Sequence, residues 1–199
     1  MDYLTVREAL PIFYEGYELE PNGGVDDPTV TIKLVKGVTM FIPNFDARRK
    51  VILKHDIHHI LTGYTGVMKG ETEISAWELS TGCTNSWVAF TINTYGMMTG
   101  VLFNPGGLWK AWLRGTRTRN LYHEMYKDEE LLDRTVEGLK KELGLFEDGD
   151  HKGSSFGAVL SFSGFLIYGI VFSTASIIIL PFFLAYSLSI SIAHLWRKQ

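Results

Sequence analysis

Residues 153–196 of this 199-residue chain contain no Asp, Glu, Lys or Arg. As one helix those 44 residues would extend about 66 Å, roughly twice the hydrocarbon thickness of a bilayer. A core helix of a small soluble protein needs no such length. The stretch divides the chain into a domain over 1–152 and a membrane anchor over 153–199. Two transmembrane helices fit the length better than one, with a tight turn near Ser173–Ser176 or a break at Pro181. Such a helical hairpin leaves both ends on one side of the membrane. Lys152, Arg197 and Lys198 place that side in the cytoplasm by the positive-inside tendency. Gly157, Gly164, Gly169, Ser161, Ser163 and Ala175 permit close helix approach within the hairpin or between protomers of a homo-oligomer, although ordinary bilayer packing also accounts for them.

The formal charge of the chain is −3, and removing the +2 of Arg197 and Lys198 leaves −5 on residues 1–152. An acidic domain with no basic arm is a poor nucleic-acid binder, so no nucleic-acid partner is expected. The single cysteine, Cys83, excludes an intramolecular disulfide and a thiolate zinc cage. The first twenty residues hold acids and no long apolar run, which fits neither a secretory signal nor an Arg-rich transit peptide and favours a bacterial inner membrane. Turn residues at 21–24 and 26–28 break the chain. Val30, Ile32 and Leu34, then Val38, Met40 and Ile42 about Lys36-Gly37, read as a short N-terminal β-hairpin. The rest reads as mainly α.

The chemistry concentrates in His55-Asp56-Ile57-His58-His59, followed by Gly70-Glu71. Histidines four residues apart share one helix face. Asp56 is turned by about 100° from His55 and can still flank the same pocket. Glu71 returns from a second helix after a turn at Thr62-Gly63 and Lys69-Gly70. His55, Asp56, His59 and Glu71 form a two-histidine, two-carboxylate set that suits a divalent metal, zinc first and iron or manganese next. An isolated H-D-x-x-H has about even odds of being structural; the glycine before Glu71 in an apolar setting shifts them toward metal. His58 points elsewhere on the helix. Glu78 lies seven residues after Glu71 on the same face, whereas Glu73 does not.

The run HDIHHILTGYTGVMKGETEISAWE resembles the signature of the coenzyme Q (ubiquinone) biosynthesis protein four family, H-D-x-x-H-x(11)-E. His55, Asp56, His59, Gly63, Gly70, Glu71 and Trp77-Glu78 stand in the matching places. A softer match follows in LWKAWLRGTRTRNLYHEMYKDEELLDRTVEGLKKELGL, so the resemblance covers roughly residues 40–146. The N-terminal hairpin departs from the family, whose members have a longer helical segment there. The resemblance implies a role in ubiquinone biosynthesis: oxidative decarboxylation at C1 of a prenylated aromatic ring, with a prenylated quinone precursor, membrane lipid and a complex of biosynthetic enzymes as partners. It implies that His55, Asp56, His59 and Glu71 hold the metal. Glu78 or His58 would be the catalytic proton carrier.

Along the remainder, Asp46 is expected to cap the motif helix, and a second helix to run over about 70–98. Its Ala89–Val101 part suits the core or lipid. Asn104-Pro105-Gly106-Gly107 is a stop. Trp109, Trp112, Leu121, Tyr122 and Tyr126 alternate with Lys110, Arg114, Arg117 and Arg119. That pattern suits a membrane interface, the diphosphate of a prenyl lipid, or a solvated helix with its rings in the core. His123-Glu124 is a further ligand pair that its spacing does not require. Residues 127–143 form a charged amphipathic helix ended by Gly144. Two other functions stand beside the biosynthetic one: a metal-dependent hydrolase of a lipid phosphate or ester, and a non-catalytic lipid-binding scaffold. A protease of the H-E-x-x-H type is disfavoured, because Asp is a shorter arm beside the first histidine.

Overall fold

The computed structural model describes residues 1–27, 29–35, 38–123, 126–146 and 156–196. It is mainly helical, in the order α1 (Val6–Gly16), β1 (Thr29–Val35), β2 (Val38–Pro43), α2 (Asp46–Thr62), α3 (Met68–Thr81), α4 (Trp87–Gly100), α5 (Pro105–Gly115), α6 (Asp128–Leu132), α7 (Val136–Leu143) and α8 (Phe156–Trp196).

Helix α1 starts on a capping box: the Thr5 hydroxyl accepts from the Glu8 amide while the Glu8 carboxylate accepts from the Thr5 amide. Its buried stripe is Val6, Ala9, Leu10, Phe13 and Tyr14. A strap holds it in place, with the Val6 amide donating to Arg134 O and the Val136 amide to Leu4 O, both at 2.9 Å. A turn at Pro21–Gly24 leads to the two strands, which pair antiparallel with Val30 opposite Ile42 and Ile32 opposite Met40. The two strands fall where a hairpin is expected, with an irregularity in the pairing between Lys33 and Val35; Lys36 and Gly37 lie outside the described residues.

Asp46 is the first helical residue of α2 and not its cap, a position held by Phe45 without a side-chain bond. An acid inside the first turn acts on the helix dipole instead. Gly63, at φ +76°, ends α2 as the left-handed residue that the Thr62-Gly63 turn required. The single helix expected over about 70–98 is two, α3 and α4, because Gly82 leaves helical geometry at φ +94° and Ser86 caps a new start on the Ala89 amide. Pro105 occupies the first turn of α5, so the expected stop is equally a start. The amphipathic segment after 127 is likewise divided, into α6 and α7, by the cap at Thr135. Gly144 ends α7 at φ +75°.

Helix α3 lies between α4 and α5, and α2 meets α1, α3, α4 and α7. Trp77 is fully buried at the centre, its indole N–H donating to the Thr118 hydroxyl at 2.9 Å. Truncating such a ring to alanine costs about 3–5 kcal/mol.

The two transmembrane helices expected over 153–199 are a single 41-residue helix, α8. Ser173–Ser176 does not turn: the Ser176 hydroxyl donates to Phe172 O inside the helix at 2.8 Å. Pro181 removes one amide donor, which an apolar helix of this length absorbs without ending. Among the described residues one span, Phe156–Ile178, is long and apolar enough to cross a membrane. α8 docks on α4 and α5 through Phe90–Phe165, Tyr95–Phe172 and Trp112–Phe162 ring contacts and a 3.2 Å bond from the Trp112 indole to Ser161. Gly169 permits this approach, since a Cβ there would lie 2.3 Å from Met98 Sδ.

Candidate metal centre

Three of the residues expected as ligands converge. One donor atom from each of His55, His59 and Glu71 lies within 4.8 Å of the others. The i, i+4 spacing sets the two Nε2 atoms 3.2 Å apart. The Glu71 carboxylate reaches both, Oε2 to His55 Nε2 at 3.4 Å and Oε1 to His59 Nε2 at 3.3 Å. Glu71 is placed by Gly70, where a Cβ would lie 2.0 Å from the Thr65 carbonyl oxygen. Only glycine lets the chain before α3 cross so close to its first turn.

The partners of the outer nitrogens fix the histidine tautomers. His59 Nδ1 faces the Tyr64 carbonyl at 3.0 Å, and a carbonyl only accepts, so Nδ1 carries a proton and Nε2 is left to face His55 and Glu71. His55 Nδ1 faces Glu78 Oε1 at 3.0 Å and donates to it. With both rings neutral, two lone-pair nitrogens and a carboxylate point at one another. Acceptors so arranged repel unless a cation or a proton stands between them. Two nitrogens 3.2 Å apart are spaced as ligands sharing one ion at about 2.0–2.1 Å from each. A histidine whose outer N–H donates to a carboxylate or a carbonyl is the usual support of a metal ligand. These residues fit a divalent metal, and the donor set alone does not choose which.

Asp56 stands beside this group and not within it: its Oδ2 accepts from the Tyr14 hydroxyl at 2.8 Å. The turn of about 100° from His55 sends the short carboxylate toward α1. Burial pushes the Asp56 carboxyl up from its ordinary value, while His55 and the Tyr14 bond pull the other way.

Glu78 is fully buried, and both its oxygens are engaged. Oε1 accepts from His55 Nδ1 at 3.0 Å and His58 Nδ1 at 2.6 Å; Oε2 accepts from the Asn93 amide and, at 3.1 Å, from the Tyr122 hydroxyl. His58 Nε2 accepts the Leu121 amide at 2.9 Å, so its proton is fixed on Nδ1. Burial keeps the His58 ring below the ordinary histidine value, against the pull of Glu78. Both residues expected to carry protons are thus committed to protein partners. Glu78 holds the His55 ring, and His58 holds Glu78.

Burial also opposes charge on His55, but Glu78 and Glu71 outweigh it and hold its pKa well above 6.5. Burial would raise both glutamates; for Glu71 the bonds from His55 and His59, and for Glu78 the charge of His55 and its bonds, bring them below the ordinary carboxylate value. A proton held by His55 occupies the place that a cation would take.

His123 lies elsewhere, its Nδ1 taking the Asn85 amide at 3.1 Å, and Glu124 is outside the described residues. Several supports had no signal in the motif. Phe13 of α1 stacks on His59 at 5.3 Å, and Tyr14, Asn93 and Tyr122 complete the network. Asn93, an amide inside an uncharged helix, is the one whose burial a sequence could suggest. Beside the network, a cleft of about 530 Å³ is lined by Lys50, Lys54, Trp87, Tyr122 and their neighbours.

Compared with protein-family models, with curated proteins and with solved structures, the chain finds no match in any of the three.

Proposed function

We propose that this is a membrane-held helical metal protein acting on a prenylated aromatic acid, with oxidative decarboxylation at ring C1 as its reaction. The observation that carries the metal reading is the convergence of the His55 and His59 Nε2 atoms on the Glu71 carboxylate, each ring held from behind by an acceptor at Nδ1. In the reaction the carboxyl leaves as carbon dioxide and a hydroxyl enters, which requires a two-electron oxidant that also supplies the oxygen. A bound divalent metal would provide a Lewis-acidic point for an anionic oxygen. His55, His59 and Glu71 would hold it. Glu78 and His58 keep the His55 ring in position, and Tyr14 keeps Asp56 turned aside. The substrate class rests on the H-D-x-x-H-x(11)-E resemblance, and the apolar helix α8 supports a bilayer as the place where a prenyl tail is met.

A second reading, a non-catalytic lipid-binding scaffold, is favoured by the saturation of Glu78 and His58, which leaves neither free to move a proton. Metal analysis of detergent-purified protein beside His59→Ala and Glu71→Ala, with co-purified lipid identified by mass spectrometry, tests both. Near-stoichiometric metal lost in both variants, with a prenylated aromatic acid or quinone bound, is the expected result. Variants that lose the fold with the metal would favour the scaffold, and bound phospholipid or prenyl phosphate would favour a hydrolase. No metal in wild-type protein purified without chelator overturns the centre.

A further inference from the structure

Residues 79–109 form a second stretch with no Asp, Glu, Lys or Arg, 31 residues long. It contains the whole of α4 and the corner before α5. The inner side of α4 carries Val88, Ala89, Asn93, Thr94 and Met97, all buried. Its outer side shows Ile92 and Tyr95, and the corner shows Leu102, 88% exposed, and Phe103. α8 packs alongside through the contacts between Ser161 and Phe172 described above. Its outward residues there, Leu160, Ile167, Ile170 and Val171, are exposed as well. The two packed helices therefore both leave large apolar residues exposed on either side of their contact, and clustered exposed apolar side chains mark a surface that something else covers.

The length of α8 says what covers that face. Forty-one residues extend about 61 Å, roughly twice a hydrocarbon core, so a crossing uses only part of the helix. The part docked on the body still presents apolar residues outward. The borders of the uncharged stretch are those of a membrane surface. Trp87, 70% exposed, opens α4 beside Lys50 and Lys54 in the cleft wall, and Trp109 is followed at once by exposed Lys110. Indole rings and lysines at the edge of an apolar face sit at headgroup depth.

We infer that the outer face of α4, the Leu102–Phe103 corner and the docked part of α8 are seated in the hydrocarbon of a bilayer, so that the body is partly immersed and not merely tethered. This rests on the membrane reading of α8. It puts the metal centre one helix layer from lipid, since Asn93 on the inner side of α4 bonds Glu78 directly.

The test uses the full chain in vesicles of phosphatidylcholine with a minority of phosphatidylglycerol. Nitroxide labels are placed singly through Ile92→Cys, Leu102→Cys, Ile178→Cys and, as a water-facing reference, Glu137→Cys on α7. Cys83 is buried and its thiol is pushed up to about 12, first by burial and then by the Glu78 charge, so the parent chain gives the labelling background. Collision rates are read with oxygen, which concentrates in lipid, and with a water-soluble nickel complex. The expected result is that labels at 92, 102 and 178 favour oxygen while the label at 137 favours nickel. A label at 178 in lipid with 92 and 102 reading water overturns the immersed face and leaves the anchor standing. All four labels reading water overturns the membrane reading itself. Labels at 92 and 102 shielded from both reagents, with spin–spin broadening, also overturn the proposal and make the face an interface between copies of this chain.

Discussion

Helices α2 and α3 form a crossing in which most polar atoms have a named partner, whereas α8 satisfies its own backbone and meets its neighbours mainly through rings. In the first region, position decides everything: His55 works because one nitrogen meets Glu78 and the other meets His59 and Glu71. In the second, composition decides, and interchangeable apolar residues serve equally except where a neighbouring side chain fills the space over a glycine, as Met98 does at Gly169. The lesson is that single substitutions should be harsh at the crossing and mild along most of α8.

The hardest break is Glu78→Ala. It strips acceptors from His55, His58, Asn93 and Tyr122 together. A loss of about 3–5 kcal/mol in stability is expected from so many donors left buried without partners, read by denaturant unfolding in detergent. Glu78→Gln sharpens the point, because it keeps the volume and inverts half the bonding. Metal affinity should fall about 10–100-fold with the fold retained, measured by chelator competition. In α8 the harsh site is Gly169: leucine there meets Met98 and should cost about 1–3 kcal/mol, while the outward Ile167→Leu should leave the melting temperature unchanged. Equal effects of the two would refute the contrast.

The pH dependence of metal-free protein is the gentlest probe. His55 is raised in the folded chain, so its contribution is whole below the ordinary value of 6.5 and is lost as pH rises through the folded value. Glu71 and Glu78 are lowered, so theirs is whole above the ordinary 4.5 and is lost as pH falls through their folded values. Stability from these groups should therefore be flat between about 4.5 and 6.5 and decline on both sides, as followed by thermal melting. A metal in the proton's place should remove the decline on the alkaline side, and its own affinity should weaken toward acid.

The parts legible in the sequence were those fixed by local spacing. His55 and His59 share a face by the helix repeat, Glu71 and Glu78 share another, and Gly63 and Gly144 end helices by their own conformational freedom. The parts that were not legible depend on distant residues. Asp56 turns aside because Tyr14 arrives from 42 positions away, and Glu78 is saturated because Asn93 and Tyr122 reach it from other elements. α1 itself, whose Phe13 backs His59, carries no motif that points to the histidines. In the opposite direction, local signals misled where context prevailed: Ser173–Ser176 and Pro181 read as breaks but lie inside one helix, and the weakly charged, Thr- and aromatic-containing run after Glu71 hides the turn at Gly82.

The strap between Val6 and Arg134 also sets an order of events during synthesis. The start of the wall that α1 gives to the histidines is tied to residues more than a hundred positions further on, which are made later. α8 follows them in the chain. The outer side of α4 thus waits uncovered while the polar centre assembles, and the newborn chain is most prone to aggregate in that interval. Early capture by a bilayer would protect the chain before the polar centre is complete.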